Sequence, residues 1–223
     1  EKARRMAAHM LEANVDDIEV DGAKYFVKGS PDKVKTIQEI AFALDLAFDP
    51  PAGMEPYLDE TAYWDTPNCT WPFGTHVAVV EIDQETGVVD LVRYVAVDDV
   101  GKKINPMIVD GQLHGGIAQG VGQALYENAA YNDDGQFMTA SYQDYCIPRA
   151  DNLPNFNVAT ENTMCTHNPL GSKGCGEVGA IGSPPAVMNA VCDALKMRHM
   201  NMPASAPRVW SAIKDSQPKM AAE

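Results

Sequence analysis

Apolar residues recur in three different rhythms along this chain. Met6, Met10 and Leu11, with Ala3 and Ala7 beside them, follow helical spacing and predict a helix over residues 2–13. Ile18-Glu19-Val20 and Tyr25-Phe26-Val27 flank Asp21-Gly22, a pairing that predicts a β-hairpin. Apolar residues over 32–44 again fall at helical spacing and predict a second short helix. Helix, hairpin and helix together make a small peripheral unit over residues 1–48. The rhythm then stops. Residues 49–74 are rich in Pro, Gly and aromatics, among them Tyr57, Tyr63, Trp64 and Trp71, and read as an irregular connector. Its aromatics are expected to pin it to a surface, either that of its own domain or that of a partner.

The clearest alternation follows. Residues 75–83 and 88–97 are β-branched runs separated by Gln84-Glu85-Thr86-Gly87, and they predict an antiparallel hairpin in a buried sheet. Asp98 and Asp99 come next and read as a turn before Gly101 rather than as a metal site. From Asn105-Pro106 to Glu127 the pattern is helical, with Leu113, Ile117, Val121 and Leu125 every four residues. Five glycines lie in that helix, at 111, 115, 116, 120 and 122. Each costs about 0.8–1.0 kcal/mol against Ala in a helix interior, so close approach to the backbone is expected. Gln112, Gln119 and Gln123 place amides along one side. Tight helix packing and a bound polar ligand explain these features equally well. Residues 141–148 and 155–160 read as short extended segments. A glycine-rich loop follows, with Ser183 as the expected N-cap of a helix that starts at Pro184. A last short helix precedes a frayed tail at 215–223. The expected fold class is α+β, a mixed or antiparallel sheet packed with helices over 75–214.

Composition narrows the options. A formal net charge of −14 argues against nucleic acid or an anionic membrane as the main partner. No apolar run is long enough to predict a transmembrane helix. Five cysteines without a C-x-x-C pair fit reduced thiols, and so a cytoplasmic protein, better than a disulfide frame or a zinc site. The first residue is Glu1, inside a predicted helix, and the chain reads as a fragment of something longer.

The candidate chemistry sits at Glu177, the single carboxylate of the stretch 168–183, which carries five glycines. Glycines let the backbone come close to a bound group, and an acid held on such a loop is a candidate proton acceptor. Gly174-Cys175-Gly176-Glu177-Val178-Gly179 also fits G-x-G-x-x-G. That pattern signals a dinucleotide only between a strand and a helix that opens at the glycines. Here the preceding residues are polar and end in Pro169, the helix is expected later, and Glu177 would oppose a pyrophosphate.

Three stretches, in order and spacing, carry a resemblance over nearly the whole chain: residues 72–81 with 94–101 and 104–106, residues 111–120, and residues 168–177 with 182–191. The chain resembles the C-terminal part of the molybdenum-binding large subunit of the xanthine oxidase family, and within it the aerobic carbon monoxide dehydrogenase-type large subunits. The resemblance implies the second molybdopterin-binding domain type of that family and a molybdenum-dependent oxidoreductase. It implies that Glu177 is the active-site glutamate and general base, and that Gln112, Gly174, Cys175 and Gly176 contribute to the cofactor site. It further implies molybdenum on a molybdopterin dinucleotide, commonly the cytosine form, held by the pterin dithiolene rather than by a protein ligand. FAD and 2Fe-2S clusters would sit on partner subunits, with the rest of the large subunit or a separate chain completing the site. Cys175 departs from the Val or Ala more common there and is not read as a metal ligand. A carboxylate kept from solvent on a tight loop is pushed toward the proton-accepting range, where it can deprotonate a metal-activated water. Substrates open on this reading are carbon monoxide, aldehydes, purines and N-heterocycles. The competing expectation is a non-catalytic fragment or binding module of the same fold.

Overall fold

The computed structural model describes residues 1–216, which fall into two units, Glu1–Asp65 and residues 66–216. In the first unit, α1 (Lys2–Met10) lies with a three-stranded antiparallel sheet, β1 (Ile18–Asp21), β2 (Lys24–Val27) and β3 (Ser30–Thr36), and with α2 (Ile37–Asp45). The hairpin at Asp21-Gly22 forms as expected, with Gly22 at φ 56°. Its core is Met6, Ala7, Ile18, Ile40 and Leu44.

The expected helix over 32–44 is corrected. Residues up to Thr36 are a strand, and only Ile37–Asp45 is helical. Thr36 sets the boundary. Its hydroxyl accepts from the Glu39 N–H at 3.2 Å, and Glu39 reaches back to the Thr36 N–H at 2.8 Å, a reciprocal capping box. Val34 shares helical phase with the later apolar residues but pairs with Phe26 in the sheet. The backbone between α2 and the next strand is irregular, and Tyr63, Trp64 and Trp71 are exposed rather than packed on this chain.

The second unit is built on β4 (Phe73–Ile82), β5 (Val89–Asp99) and β6 (Phe156–Glu161). β4 and β5 are antiparallel while β5 and β6 are parallel, so the sheet is mixed. The crossover between β5 and β6 carries α3 (Pro106–Leu125), begun by Asn105, whose side chain accepts from the Ile108 N–H at 3.3 Å. The expected extended segment at 141–148 forms turns instead. α4 (Val178–Ala194) lies against β4 and α3, and α5 (Ala206–Ser216) completes the unit. Leu91, Tyr94 and Ala96 of β5 meet Ile117 and Val121 of α3, Val187 and Val191 of α4, and Val209 of α5 in one core. α5 runs through the first two residues of the expected frayed tail, and residues 217–223 lie outside the described residues.

α4 begins earlier than its sequence suggests. Ser183 is not its N-cap but a fully buried interior residue, and Pro184 and Pro185 stand inside the helix. Tertiary packing overrides the local signal. A Cβ at Gly179 would lie 2.6 Å from the Ile117 nitrogen and 2.7 Å from the Leu113 oxygen. A Cβ at Gly116 would meet the Ala180 nitrogen at 3.0 Å, and Gly120 faces Ser183 and Pro184. Backbone-to-backbone contact between α3 and α4 therefore accounts for Gly116 and Gly179, the side chains of Ser183 and Pro184 account for Gly120, and this packing holds residues 178–183 helical despite the prolines.

Candidate active site

The path to Glu177 starts at Asp99. The reading of Asp98 and Asp99 as a turn is corrected in part: both are strand residues at the end of β5, 1% and 2% exposed. Asp99 does close the turn, since its Oδ1 accepts from the Gly101 N–H at 2.9 Å. It also accepts from Lys173 Nζ at 2.9 Å and from the Thr163 N–H at 2.7 Å. Burial pushes the Asp99 carboxyl up, but the hydrogen bonds from Thr163, Gly101 and Lys173 outweigh it and hold the group well below the usual carboxylate range. Lys173 is itself nearly buried and lies 4.8 Å from the centre of the Phe73 ring.

This ion pair fastens the glycine-rich loop to the sheet. The Lys173 N–H donates to the Val100 oxygen at 2.9 Å, the Lys102 N–H to the Gly171 oxygen at 3.0 Å, and the Ser172 hydroxyl to the Lys102 oxygen at 2.9 Å. Gly171 turns the chain at φ 72°, where a side chain would meet Met164. Gly174, Cys175 and Gly176 then carry the chain to Glu177.

Glu177 is the N-cap of α4, and its side chain makes no capping hydrogen bond, so the carboxylate is not consumed by the helix. The loop and α3 converge. A Cβ at Gly176 would come within 3.9 Å of Gln112 Oε1, and Val178 packs with Val109 and Leu113 beside Gln112. Cys175 packs against the same cluster, so its side chain is partly spent on the core. One expectation fails here: Glu177 is exposed, as are Gln112, Gly174 and Gly176. The desolvation expected of the loop does not come from this chain's described residues. The helix does open at the G-x-G-x-x-G stretch, contrary to expectation, but the strand before it, β6, ends at Glu161, well ahead of Gly174, and the dinucleotide pattern remains incomplete.

The glycines of α3 divide into two sets. Gly116, Gly120 and Gly122 face other residues of the chain, whereas a Cβ at Gly111 or Gly115, as at Gly174 on the loop, would meet nothing within 4 Å among the described residues. Gly111 and Gly115 each cost about 1 kcal/mol in a helix, and this chain's own packing requires neither. They lie with the Gln112 amide on the exposed side of α3, as does Gln119. That face fits a flat polar group brought close to the backbone next to Glu177. A cleft of about 1330 Å³ near Gln123, Glu127 and Arg208 contains none of these residues.

Sequence reasoning missed one buried polar group altogether. His76 Nε2 lies 3.1 Å from Asp98 Oδ1 and its Nδ1 2.7 Å from the Tyr94 hydroxyl. The signal was available. His76 has the inward parity of Ala78 and Val80, and it stands opposite Ala96 with Tyr94 and Asp98 as its diagonal neighbours. Burial, with the Asp98 charge added, pushes the Tyr94 hydroxyl above the usual phenol range, so it stays a proton donor.

The family described as "Molybdopterin cofactor-binding domain" matches residues 1–154. The carbon monoxide dehydrogenase large chain of Hydrogenophaga pseudoflava is 39% identical over 217 residues, 96% of this chain and 27% of that protein. A solved structure of the Cu,Mo-CO dehydrogenase in its carbon monoxide reduced state superposes with a TM-score of 0.87 at 39% identity, covering 96% of this chain and 27% of that one. Quinoline 2-oxidoreductase from Pseudomonas putida 86 gives a TM-score of 0.86 at 35% identity, over 97% of this chain and 28% of that one. The chain thus spans about a quarter of the length of the relatives it matches. No helix among the described residues is long and apolar enough to cross a membrane.

Proposed function

We propose a function for this chain on the ground that it belongs to the molybdopterin cofactor-binding domain family, and that its homologues are molybdenum oxidoreductases of the xanthine oxidase family: it supplies the general base Glu177 and one wall of the molybdopterin site. The observation that carries the reading is the approach of the loop at Gly176, next to Glu177, to Gln112 at an open, glycine-lined face.

When bound, the molybdenum–pterin group supplies a two-electron acceptor and activates water for oxidation of a small substrate. The chain's own residues do the rest. Gln112 orients the group through its amide. Gly174 and Gly176 let the loop backbone come near it, and Cys175 contributes through its backbone while its side chain packs inward. A Glu177 Oε atom takes the proton from the attacking water. The Asp99–Lys173 pair keeps the loop in place while this happens.

The exposed carboxylate needs a cover to exclude water. We assign that cover to the rest of the large subunit or to a separate chain, because the relatives carry about three quarters of their length outside the matched region. The dinucleotide is read as the cytosine form, and FAD and 2Fe-2S partners as the electron exit. A cytoplasmic setting suits the five free cysteines.

The test is turnover of the assembled enzyme, followed as dye reduction with carbon monoxide, a simple aldehyde and quinoline. With quinoline, run in ¹⁸O-labelled water under unlabelled dioxygen, product oxygen is expected to carry the label. Unlabelled product, its oxygen drawn from dioxygen, or no dye reduction with any of these substrates, contradicts the reading.

A further inference from the structure

We propose that the buried relay Asp98–His76–Tyr94 is a positioning device that fixes the first turns of α4, and with them Glu177, against α3. The inference rests on the reading of Glu177 as the general base.

α4 has a built-in weakness where it matters. Pro184 and Pro185 have no N–H, so the carbonyls of Ala180 and Ile181 lose the donors that would have bonded them within the helix. The first turns must be held from outside. One restraint comes from α3, through Gly116 and Gly179. The other comes from the sheet. The His76 imidazole touches the α4 backbone at Gly182, where a Cβ would lie 2.5–2.8 Å from its ring atoms. The Tyr94 hydroxyl holds the His76 ring from behind at 2.7 Å, and the Ser183 hydroxyl, one residue on from Gly182, donates to the Gly179 oxygen at 2.8 Å, inside the same weak segment. Gly179 is two residues from Glu177.

The relay itself is rigid. His76 and Asp98 have side chains 4% and 2% exposed. Asp98 Oδ1 accepts from His76 Nε2, which leaves Nδ1 to accept from the Tyr94 hydroxyl. The other Asp98 oxygen is buried with no hydrogen-bond partner among the described residues, so His76 alone compensates that carboxylate's burial. Such an arrangement is costly as a mere core filler. It makes sense as a wedge of fixed orientation whose far side bears on Gly182.

The test uses the assembled enzyme carrying His76→Ala, His76→Gln or Tyr94→Phe. Glutamine can still donate to Asp98 and accept from Tyr94. Tyr94→Phe removes one hydroxyl and keeps the ring, so it decides the matter even if His76→Ala does not fold. In Tyr94→Phe and His76→Ala, amide hydrogen exchange over residues 177–183 is expected to rise about tenfold or more while β5 and the C-terminal half of α3 keep their protection. Displacement of the base by an ångström should lower kcat by about 10²-fold at unchanged KM and molybdenum content. His76→Gln should restore most of both. Unchanged exchange over 177–183, or a rise spread evenly through the unit, overturns the proposal. A Glu177→Gln control separates the two claims. If it is inactive while Tyr94→Phe turns over normally, only the positioning role fails. If it is active, the base reading fails and the positioning role with it.

Discussion

Replacing Glu177 by Gln is expected to lower turnover of the assembled enzyme by about 10²–10⁴-fold, the range a positioned general base contributes. Molybdenum content should be unchanged. Glutamine keeps the size of the side chain, and Glu177 makes no capping hydrogen bond that the change would break. The residue is exposed, so the stability of the chain should move by no more than about 0.5 kcal/mol. The loss should therefore appear in kcat, and steady-state kinetics with metal analysis on the same preparation check it. A fully active Glu177→Gln enzyme would remove the base from the mechanism.

The largest stability effect is expected at the other end of the loop. Asp99→Ala leaves Lys173 buried without its partner, and breaking a buried pair in this way costs about 3–5 kcal/mol. Thr163 and Gly101 lose their acceptor as well. Lys173→Met in the same background should recover part of the loss, since it removes the stranded charge and keeps an apolar stem over Phe73. The pair also sets a pH dependence. The folded pKa of Asp99 lies below its unfolded value of 3.8. Its stabilisation is thus fully present above about pH 5 and is lost as the pH falls through the unfolded value toward the folded one. Urea unfolding of the wild type should weaken steeply from about pH 4 downward, and that slope should flatten in Asp99→Ala. Equal slopes in the two proteins would show that Asp99 is not the linked group.

What the sequence made legible was what local patterns determine. The hairpin of β4 and β5 shows in its β-branched runs, and α3 in its four-residue stripe. The loop at Gly176, next to Glu177, comes beside Gln112, more than sixty positions away, a proximity that no local pattern shows. The errors have physical causes. At β3, Val34 kept helical phase with Ile37 and Ile40, and the Thr36-x-x-Glu39 box that marks the true start was overlooked. At α4, Ser183-Pro184 imitates a helix start, but the glycines that let α3 approach extend the helix back to Val178. Asp98 and Asp99 look like a turn because their partners, His76 and Lys173, stand 22 and 74 positions away. The exposure of Glu177 was not legible at all, since no local pattern separates a loop that its own chain buries from one that it leaves open.

The measurement that bears most directly on this site is molybdenum and pterin stoichiometry, taken on this chain alone and on the complex that co-purifies with it. The expected result is little metal in the isolated chain, whose face at Gly111, Gly115 and Gly174 is open, and close to one molybdenum and one pterin per copy of the chain in the complex. A complex that forms fully yet holds neither would contradict the site and leave a non-catalytic module of the same fold.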